Sequence, residues 1–320
     1  MNPSRRKEKR VAIFGASGHI AKGFIKNFLA EGHPFLDLYS RVPGRVRGFL
    51  KSLGKMESPG IRIRSRYAEV NQHSYDVIIN CTGPGTLNRP GSDPTLWFTL
   101  TEAFDNLAIG YLREVNPETL YISLSSGAVY GRQGSAPADQ NSVNRLRVNH
   151  LTPEDHYMIA RLNAETKHRA FSGLRIVDLR IFNYFSRYID LEDRYFITDV
   201  LNSIRARKPL LTGPANMVRD YAHPDDLFAL ARLAMGLKKI NTAFDVTSVK
   251  PANKKEILDY FAREYGLNYR IQDSPGIRSA TGAKSLYYSQ YKKAAEIGFQ
   301  PRYSSMDTLR TEAKYILTNP

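Results

Sequence analysis

The 320-residue chain is expected to fold as an α/β protein, a doubly wound parallel sheet with a smaller, partly interleaved C-terminal lobe. Two observations predict this. Short, almost wholly apolar runs recur through residues 11–182, as strands buried on both faces require, and stretches with helical spacing separate them. Beyond residue 182 the alternation gives way to mixed short segments, with no Gly-, Ser- or Pro-rich linker at the change. The composition, 42% apolar and 24% charged, is that of a globular protein and excludes wholesale disorder.

Taken in order, Val11-Ala-Ile-Phe14 reads as a strand ended by Gly15-Ala-Ser-Gly18, after which Ile20, Phe24, Ile25, Phe28 and Leu29 recur at helical spacing. Further strands are expected at 35–39, 75–80, 120–124 and 174–181, with helices at about 95–114 and 154–171. The smaller lobe should hold helices at 194–206, about 224–237, 252–265 and 305–317. No apolar run approaches the ~20 residues of a membrane span, and the apolar stretch after the basic start is too short for a signal peptide. The single cysteine, Cys81, excludes intrachain disulfides and cysteine-rich zinc sites, and suits a reducing, cytoplasmic setting.

Net charge is +15, and it is unevenly placed. Residues 1–66 hold 15 Lys/Arg against four acids, so an anionic partner is expected at the N-terminal part. Nucleic acid, a phosphorylated cofactor and a nucleotide-linked substrate all suit that field. A solvated basic surface serving solubility suits it as well.

Three constellations carry chemistry. Gly15-Ala-Ser-Gly18-His-Ile-Ala21, between a strand and a helix, has the form that turns tightly and presents a helix N-terminus to a pyrophosphate, which makes the fold Rossmann-type. The tip of the second strand, where an acid would accept the ribose hydroxyls of NAD, reads Tyr39-Ser40-Arg41, with Arg45 and Arg47 beyond; Asp37 falls too early and belongs inside the strand. A hydroxyl and a guanidinium suit a 2′-phosphate, so NADP(H) is preferred and NAD(H) stays open. Ser125-Ser126-Gly-Ala-Val-Tyr130-Gly131 follows a strand and places hydroxyls where open sheets bind ligands. Tyr157 and Arg161 share a helix face at i, i+4, and a cation beside a phenol favours the phenolate form used in acid–base chemistry.

In this order the motifs resemble the extended short-chain dehydrogenase/reductase family, and within it the NAD-dependent epimerase/dehydratase group that acts on nucleotide-linked sugars. Asp76-Val-Ile-Ile-Asn80, Tyr157-x-x-x-Arg161-Leu-Asn-Ala-Glu165, Arg180-Ile-Phe-Asn183, Arg219-Asp-Tyr-Ala-His223 and Tyr287-Tyr-Ser289 carry it further, over about residues 11–310. The resemblance implies catalytic roles for Ser126, Tyr157 and Arg161, with Tyr157 as the general acid or base. It implies cofactor contacts at Gly15, Ser17, Gly18, His19, Ile20, Ser40, Arg41, Cys81, Thr82 and Gly83, joined by Tyr157 and Arg161. Substrate contacts are implied at Ser126, Asn183, Arg219 and Tyr287, with Asn183 and Arg219 on the nucleotide diphosphate and Tyr287 bounding the sugar. A homodimer through the helices near 95–114 and 154–171 is implied too. The domains are then a basic tail at 1–10, a dinucleotide-binding domain at 11–182 plus about 213–245, and a substrate-binding lobe at about 183–212 plus 246–320.

Two departures shape the expected activity. The family has lysine where this chain has Arg161, which keeps the charge in a bulkier, forked group. Gly127-Ala128 stands in place of the Asp-Glu pair of 4,6-dehydratases, which disfavours dehydration. The expectation is therefore an NADPH-dependent 4-keto reductase of a nucleotide sugar, with a 4-epimerase as the alternative. The rival from another class is a catalytically impaired dinucleotide-binding protein whose basic face binds nucleic acid.

Overall fold

A computed structural model describes residues 9–33, 35–56, 58–83, 93–131, 136–273 and 285–318, so most of the basic tail lies outside the described residues. The central sheet is built from β1 (Val11–Phe14), β2 (Leu36–Tyr39), β3 (Ile61–Arg64), β4 (Val77–Asn80), β5 (Leu120–Ser126), β6 (Ile176–Ile181) and an edge strand, Asn241–Val246. All seven are parallel, in the order edge strand, β6, β5, β4, β1, β2, β3. From β1 the chain winds out to β3, then restarts at β4 and winds the other way. The topological switch, where open sheets bind ligands, thus falls between β1 and β4.

Strand alternation divides the sheet into two unlike faces. Val11, Ile13, Leu36, Leu38, Val77, Ile79, Leu120, Ile122 and Leu179 point to one face, which is wholly apolar. Helices α1 (His19–Ala30), α2 (Pro43–Ser52) and α6 (Pro224–Gly236) cover it with Phe24, Phe28, Phe49, Leu227 and Phe228. The other face carries Ala12, Phe14, Tyr39, Ile78 and Tyr121 under α3 (Leu96–Glu114). Toward the strand ends that face turns polar, with Asn80, Ser123, Ser125, Asp178 and Arg180 under α4 (Pro153–Ala170). Thr152 and Asp155 start α4 through a reciprocal capping box.

The smaller lobe has its own core, where Phe185 meets Val200 and Leu201 of α5 (Phe196–Ala206), Ile257 and Phe261 of α7 (Lys254–Tyr265), and Leu309 and Ala313 of α8 (Ser305–Thr318). Short pairings position the segments nearest the sheet: Val218–Arg219 lies between Ala252–Asn253 and Leu286–Tyr287, and Asn183–Tyr184 pairs with Tyr221–Ala222. The sequence reading missed α2, β3 and the edge strand. Each is short or weakly apolar, and each is recruited by neighbours rather than by its own pattern. No helix among the described residues is long and apolar enough to cross a membrane.

Candidate active site

Gly15 stands at the switch point with φ +70°, and a Cβ there would come within 2.9 Å of the Cys81 carbonyl oxygen. Only glycine fits both demands. Gly15 N donates to Tyr67 Oη (3.1 Å), which donates onward to Tyr39 O (3.0 Å), while Gly18 N donates to Gly15 O (2.8 Å). No side chain caps α1 and no acid sits in its first turn, so its leading N–H groups are left for an anion. The turn is a cradle that fits a dinucleotide pyrophosphate.

A cleft opens from this turn, lined by Gly15, Ser17, Gly18, Ser40, Arg41, Arg45, Cys81, Thr82 and Gly83 together with Tyr67, Leu100 and Phe104. No carboxylate belongs to its described lining. Asp37 is buried inside β2 and spent on Arg10 Nη2 (2.8 Å), Arg64 Nε (2.8 Å) and Tyr75 Oη (2.5 Å). Tyr39 ends β2 at the expected tip, but its ring is buried and its hydroxyl meets Tyr75 Oη at 2.8 Å, because strand alternation turns it into the α3 face, which leaves Ser40 and Arg41 to the cleft. Ser40 Oγ donates to Ser17 Oγ (3.2 Å) and accepts from Val42 N (3.1 Å), which fixes the tip against the glycine turn. Arg47 lies exposed on α2, outside the cleft lining.

The remaining cofactor positions divide by side chain and backbone. Thr82 donates twice to Asn80 Oδ1, from N at 3.0 Å and Oγ1 at 2.5 Å, and burial pushes the Cys81 thiol pKa up, so it stays protonated. The His19 ring turns edge-on to Tyr184 at 4.9 Å, and burial lowers its pKa to about 3, which leaves it neutral. Ile20 packs on the apolar core. At the start of α1, His19 and Ile20 therefore offer a ligand their backbone N–H groups rather than their side chains.

The residues expected to carry the chemistry gather around the end of β5. Ser126 Oγ accepts from Ala128 N (3.1 Å), capping the turn that follows, and lies 3.0 Å from Tyr287 Oη. Burial, and next the neighbouring Tyr157 phenol, push the Tyr287 pKa up and keep it protonated. The Tyr157 ring contacts Trp97 of α3 at 4.5 Å between centroids, and the Arg161 guanidinium sits 5.4 Å from its centre. Arg161 Nη1 donates to Leu124 O (3.1 Å), and its Nη2 lies 3.5 Å from where a Gly83 Cβ would be. Arg161 thereby joins the β4 loop, the end of β5 and the phenol ring.

On the lobe side, Arg219 is the Cα partner of Tyr287 and is buried, with Nη1 donating to Val218 O (3.0 Å) and Ser285 O (3.4 Å). Its neighbour Asp220 faces away and accepts from Ser248 N and Ser305 Oγ, so the two do not make an ion-pair cluster. Asn183 donates to Asp220 O from N (3.1 Å) and Nδ2 (3.3 Å). The fold thus brings Ser126, Tyr157, Arg161 and Tyr287 together, and holds Arg219 beside them. Sequence reasoning did not single out Trp97 or Asp245, and neither carries a local motif.

A switch-point crevice with a glycine cradle, followed by a Ser, Tyr and Arg cluster, defines a dinucleotide-binding oxidoreductase-like α/β protein. Residues 11–246 match the NAD dependent epimerase/dehydratase family, and the chain belongs to that family. A curated relative from Methanocaldococcus jannaschii, named "Putative UDP-glucose 4-epimerase", is 18% identical over 97% of this chain and 99% of its own. Among solved structures, a UDP-glucose-4-epimerase from Stenotrophomonas maltophila with bound NAD and formylated UDP-arabinopyranose aligns with TM-score 0.80 and 16% identity, covering 97% of this chain and 98% of the other. A double mutant of the dTDP-glucose 4,6-dehydratase from Streptomyces venezuelae, with NAD and DAU bound, aligns with TM-score 0.79 and 16% identity over 97% of each chain. Epimerase and dehydratase match the fold almost equally, so the fold alone does not select the reaction.

Proposed function

We propose that this protein catalyses oxidoreduction at C4 of a nucleoside-diphosphate sugar with NADP(H), as a 4-keto reductase. The cofactor reading is carried by the adenosine end of the cleft, where Asp37 is already spent and Ser40, Arg41 and Arg45 remain. That set offers charge-assisted hydrogen bonds to a 2′-phosphate and no carboxylate to a ribose hydroxyl pair. Gly15, Ser17, Gly18 and the leading N–H groups of α1 would hold the pyrophosphate, with Cys81, Thr82 and Gly83 along the crevice. The dinucleotide, when bound, supplies the hydride chemistry.

The chain's own groups handle the proton and the charge. Tyr157 Oη donates a proton to the substrate oxygen as that oxygen becomes an alkoxide. Ser126 releases Tyr287 and donates its hydroxyl hydrogen to the same oxygen, while the Arg161 charge stabilises it. Trp97 fixes the phenol ring. Arg219 and Asn183 face the nucleotide diphosphate. The working protein is read as a homodimer through α3 and α4.

Titration of cofactor-stripped protein with NADPH and NADH at fixed ionic strength tests the reading first. Tighter binding of NADPH, followed by its stoichiometric oxidation with a 4-keto nucleotide sugar, is the expected result. A second reading, a 4-epimerase, is favoured by the curated relative that spans almost the whole chain and by the NAD held in both solved relatives. Preference for NADH, with interconversion of UDP-sugar 4-epimers and no net cofactor turnover, would decide for it.

A further inference from the structure

Ser125, Arg180 and Asp245 form one register row across β5, β6 and the edge strand, Ser125 being the Cα partner of Arg180 and Arg180 that of Asp245. Their side chains leave the sheet on the face that α4 covers. Glu165 of α4 meets the row. Ser125 Oγ donates to Glu165 Oε1 at 2.5 Å, and Arg180 holds the same carboxylate through Nε (3.1 and 3.0 Å) and Nη2 (2.6 Å). Arg180 Nη1 continues to Tyr130 Oη at 2.9 Å; Tyr130 donates to Asp245 Oδ2 at 2.8 Å, and Ser289 Oγ donates to that oxygen at 2.5 Å.

This network is a second bridge between the two segments that meet at the site. The first is the 3.0 Å contact of Ser126 Oγ with Tyr287 Oη. Ser125 precedes Ser126 in the strand, and Ser289 follows Tyr287 by two residues, so both bridges join the same pair of segments. Backbone bonds reinforce the second: Ala138 N donates to Tyr288 O (3.0 Å), Gln290 N to Ala138 O (2.8 Å), and Tyr291 N to Ser289 Oγ (2.9 Å). Two buried carboxylates around one guanidinium are a weak source of net stability, because desolvation offsets most of the attraction. Their strict hydrogen-bond geometry instead fixes position.

We propose that Asp245 and Ser289 are positioning residues that dock residues 286–291 of the substrate lobe onto the sheet and thereby set Tyr287 against Ser126. Tyr287 then fills, in the free protein, the place on Ser126 that a substrate oxygen takes during reaction. The inference rests on the reading of Ser126 and Tyr157 as the reacting pair.

The test compares Ser289→Ala, Asp245→Ala and Asp245→Asn with Ser305→Ala, which removes a buried hydroxyl from the same lobe, between Asp220 and Tyr221 N, away from the network. Misplacing a reacting group by about 1 Å costs on the order of a hundredfold, so Ser289→Ala and Asp245→Ala should lower kcat roughly ten- to a hundredfold with NADPH affinity unchanged. Asp245→Asn, which keeps an acceptor for Ser289 and Tyr130, should recover most of that loss. Amide hydrogen exchange over 286–290 should quicken in Ser289→Ala and not in Ser305→Ala. Equal kcat in Ser289→Ala and Ser305→Ala, or unchanged exchange at 286–290, would overturn the proposal. If the wild type turns over no nucleotide sugar, the functional reading falls, and the exchange comparison alone decides for or against the docking role.

Discussion

Tyr157 sits between an indole and a guanidinium, and this setting gives the site its sharpest single-residue test. Tyr157→Phe keeps the ring contacts and removes the proton donor, so turnover should be lost while NADPH titrates as in the wild type; retained turnover would move the proton donor elsewhere. Gly15→Ala must place an L-residue at φ +70° with its Cβ 2.9 Å from a backbone oxygen, an atom that cannot swing aside. The left-handed conformation alone costs roughly 1–2 kcal/mol. Thermal melts should show that loss, and cofactor titration a larger one. Arg41→Glu puts a carboxylate beside Ser40, and parallel titrations should show preference moving from NADPH toward NADH. The places of Gly15 in a turn, Ser126 at a strand end and Tyr157 on a helix face were legible in sequence because each element imposes local spacing, whereas the roles proposed for them came from the family resemblance. Trp97 and Asp245 were not legible, since what they do depends on partners 60 and 65 residues away, Tyr157 and Arg180.

Helix α4 shows what a whole element adds. Tyr157, Arg161, Glu165 and His168 recur on one face, and Arg161, Glu165 and His168 meet the polar half of the sheet, which explains why a helix packed on the sheet has so weak an apolar stripe. His168 lies wholly buried, with Nδ1 2.8 Å from Asp178 and Nε2 2.6 Å from Asp105 of α3; Lys167 also pairs with Asp105 and Arg169 with Asp178, while Tyr121 of β5 donates to Asp105. Burial by itself would lower the His168 pKa, but the hydrogen bonds to Asp105 and Asp178 outweigh it and raise the value to about 9 from 6.5. A raised folded pKa stabilises fully below the unfolded value and is lost as pH climbs through the folded one. Denaturation series should therefore find the wild type losing up to about 3 kcal/mol between pH 6.5 and pH values above 9. In His168→Gln that alkaline loss should disappear; a persistent loss would place its origin elsewhere. The helix itself was readable from spacing, whereas α2 and β3 were not, because short basic segments declare themselves only when Val46, Phe49 and Leu50 find the apolar core.

At the scale of the whole molecule, both apolar packing and buried polar contacts tie the two lobes, with Ala294 and Phe299 of the smaller lobe joining the core that underlies the sheet. Asp226 of α6 accepts from Arg302 N (3.0 Å) and Tyr303 N (3.1 Å) across the lobes, while within the smaller lobe Glu312 of α8 accepts from Arg187 N (2.7 Å), Nε (3.0 Å) and Nη2 (2.7 Å). Arg187→Met leaves Glu312 buried without its guanidinium and should cost about 2 kcal/mol in chemical denaturation, whereas an unchanged midpoint would show that α8 docks by packing alone. Residue order alone settled the parallel α/β class, the glycine cradle and the family, because these rest on local periodicity and on motifs a few residues long. It left the returning edge strand unread, and it did not show that alternation turns the Tyr39 ring away from the cleft. Only the folded chain showed that Asp37 is consumed by Arg10 and Arg64, and that Ser125, Arg180 and Asp245 share one row. Those facts are matters of register and burial, and register is fixed when strands distant in sequence bury their apolar faces together.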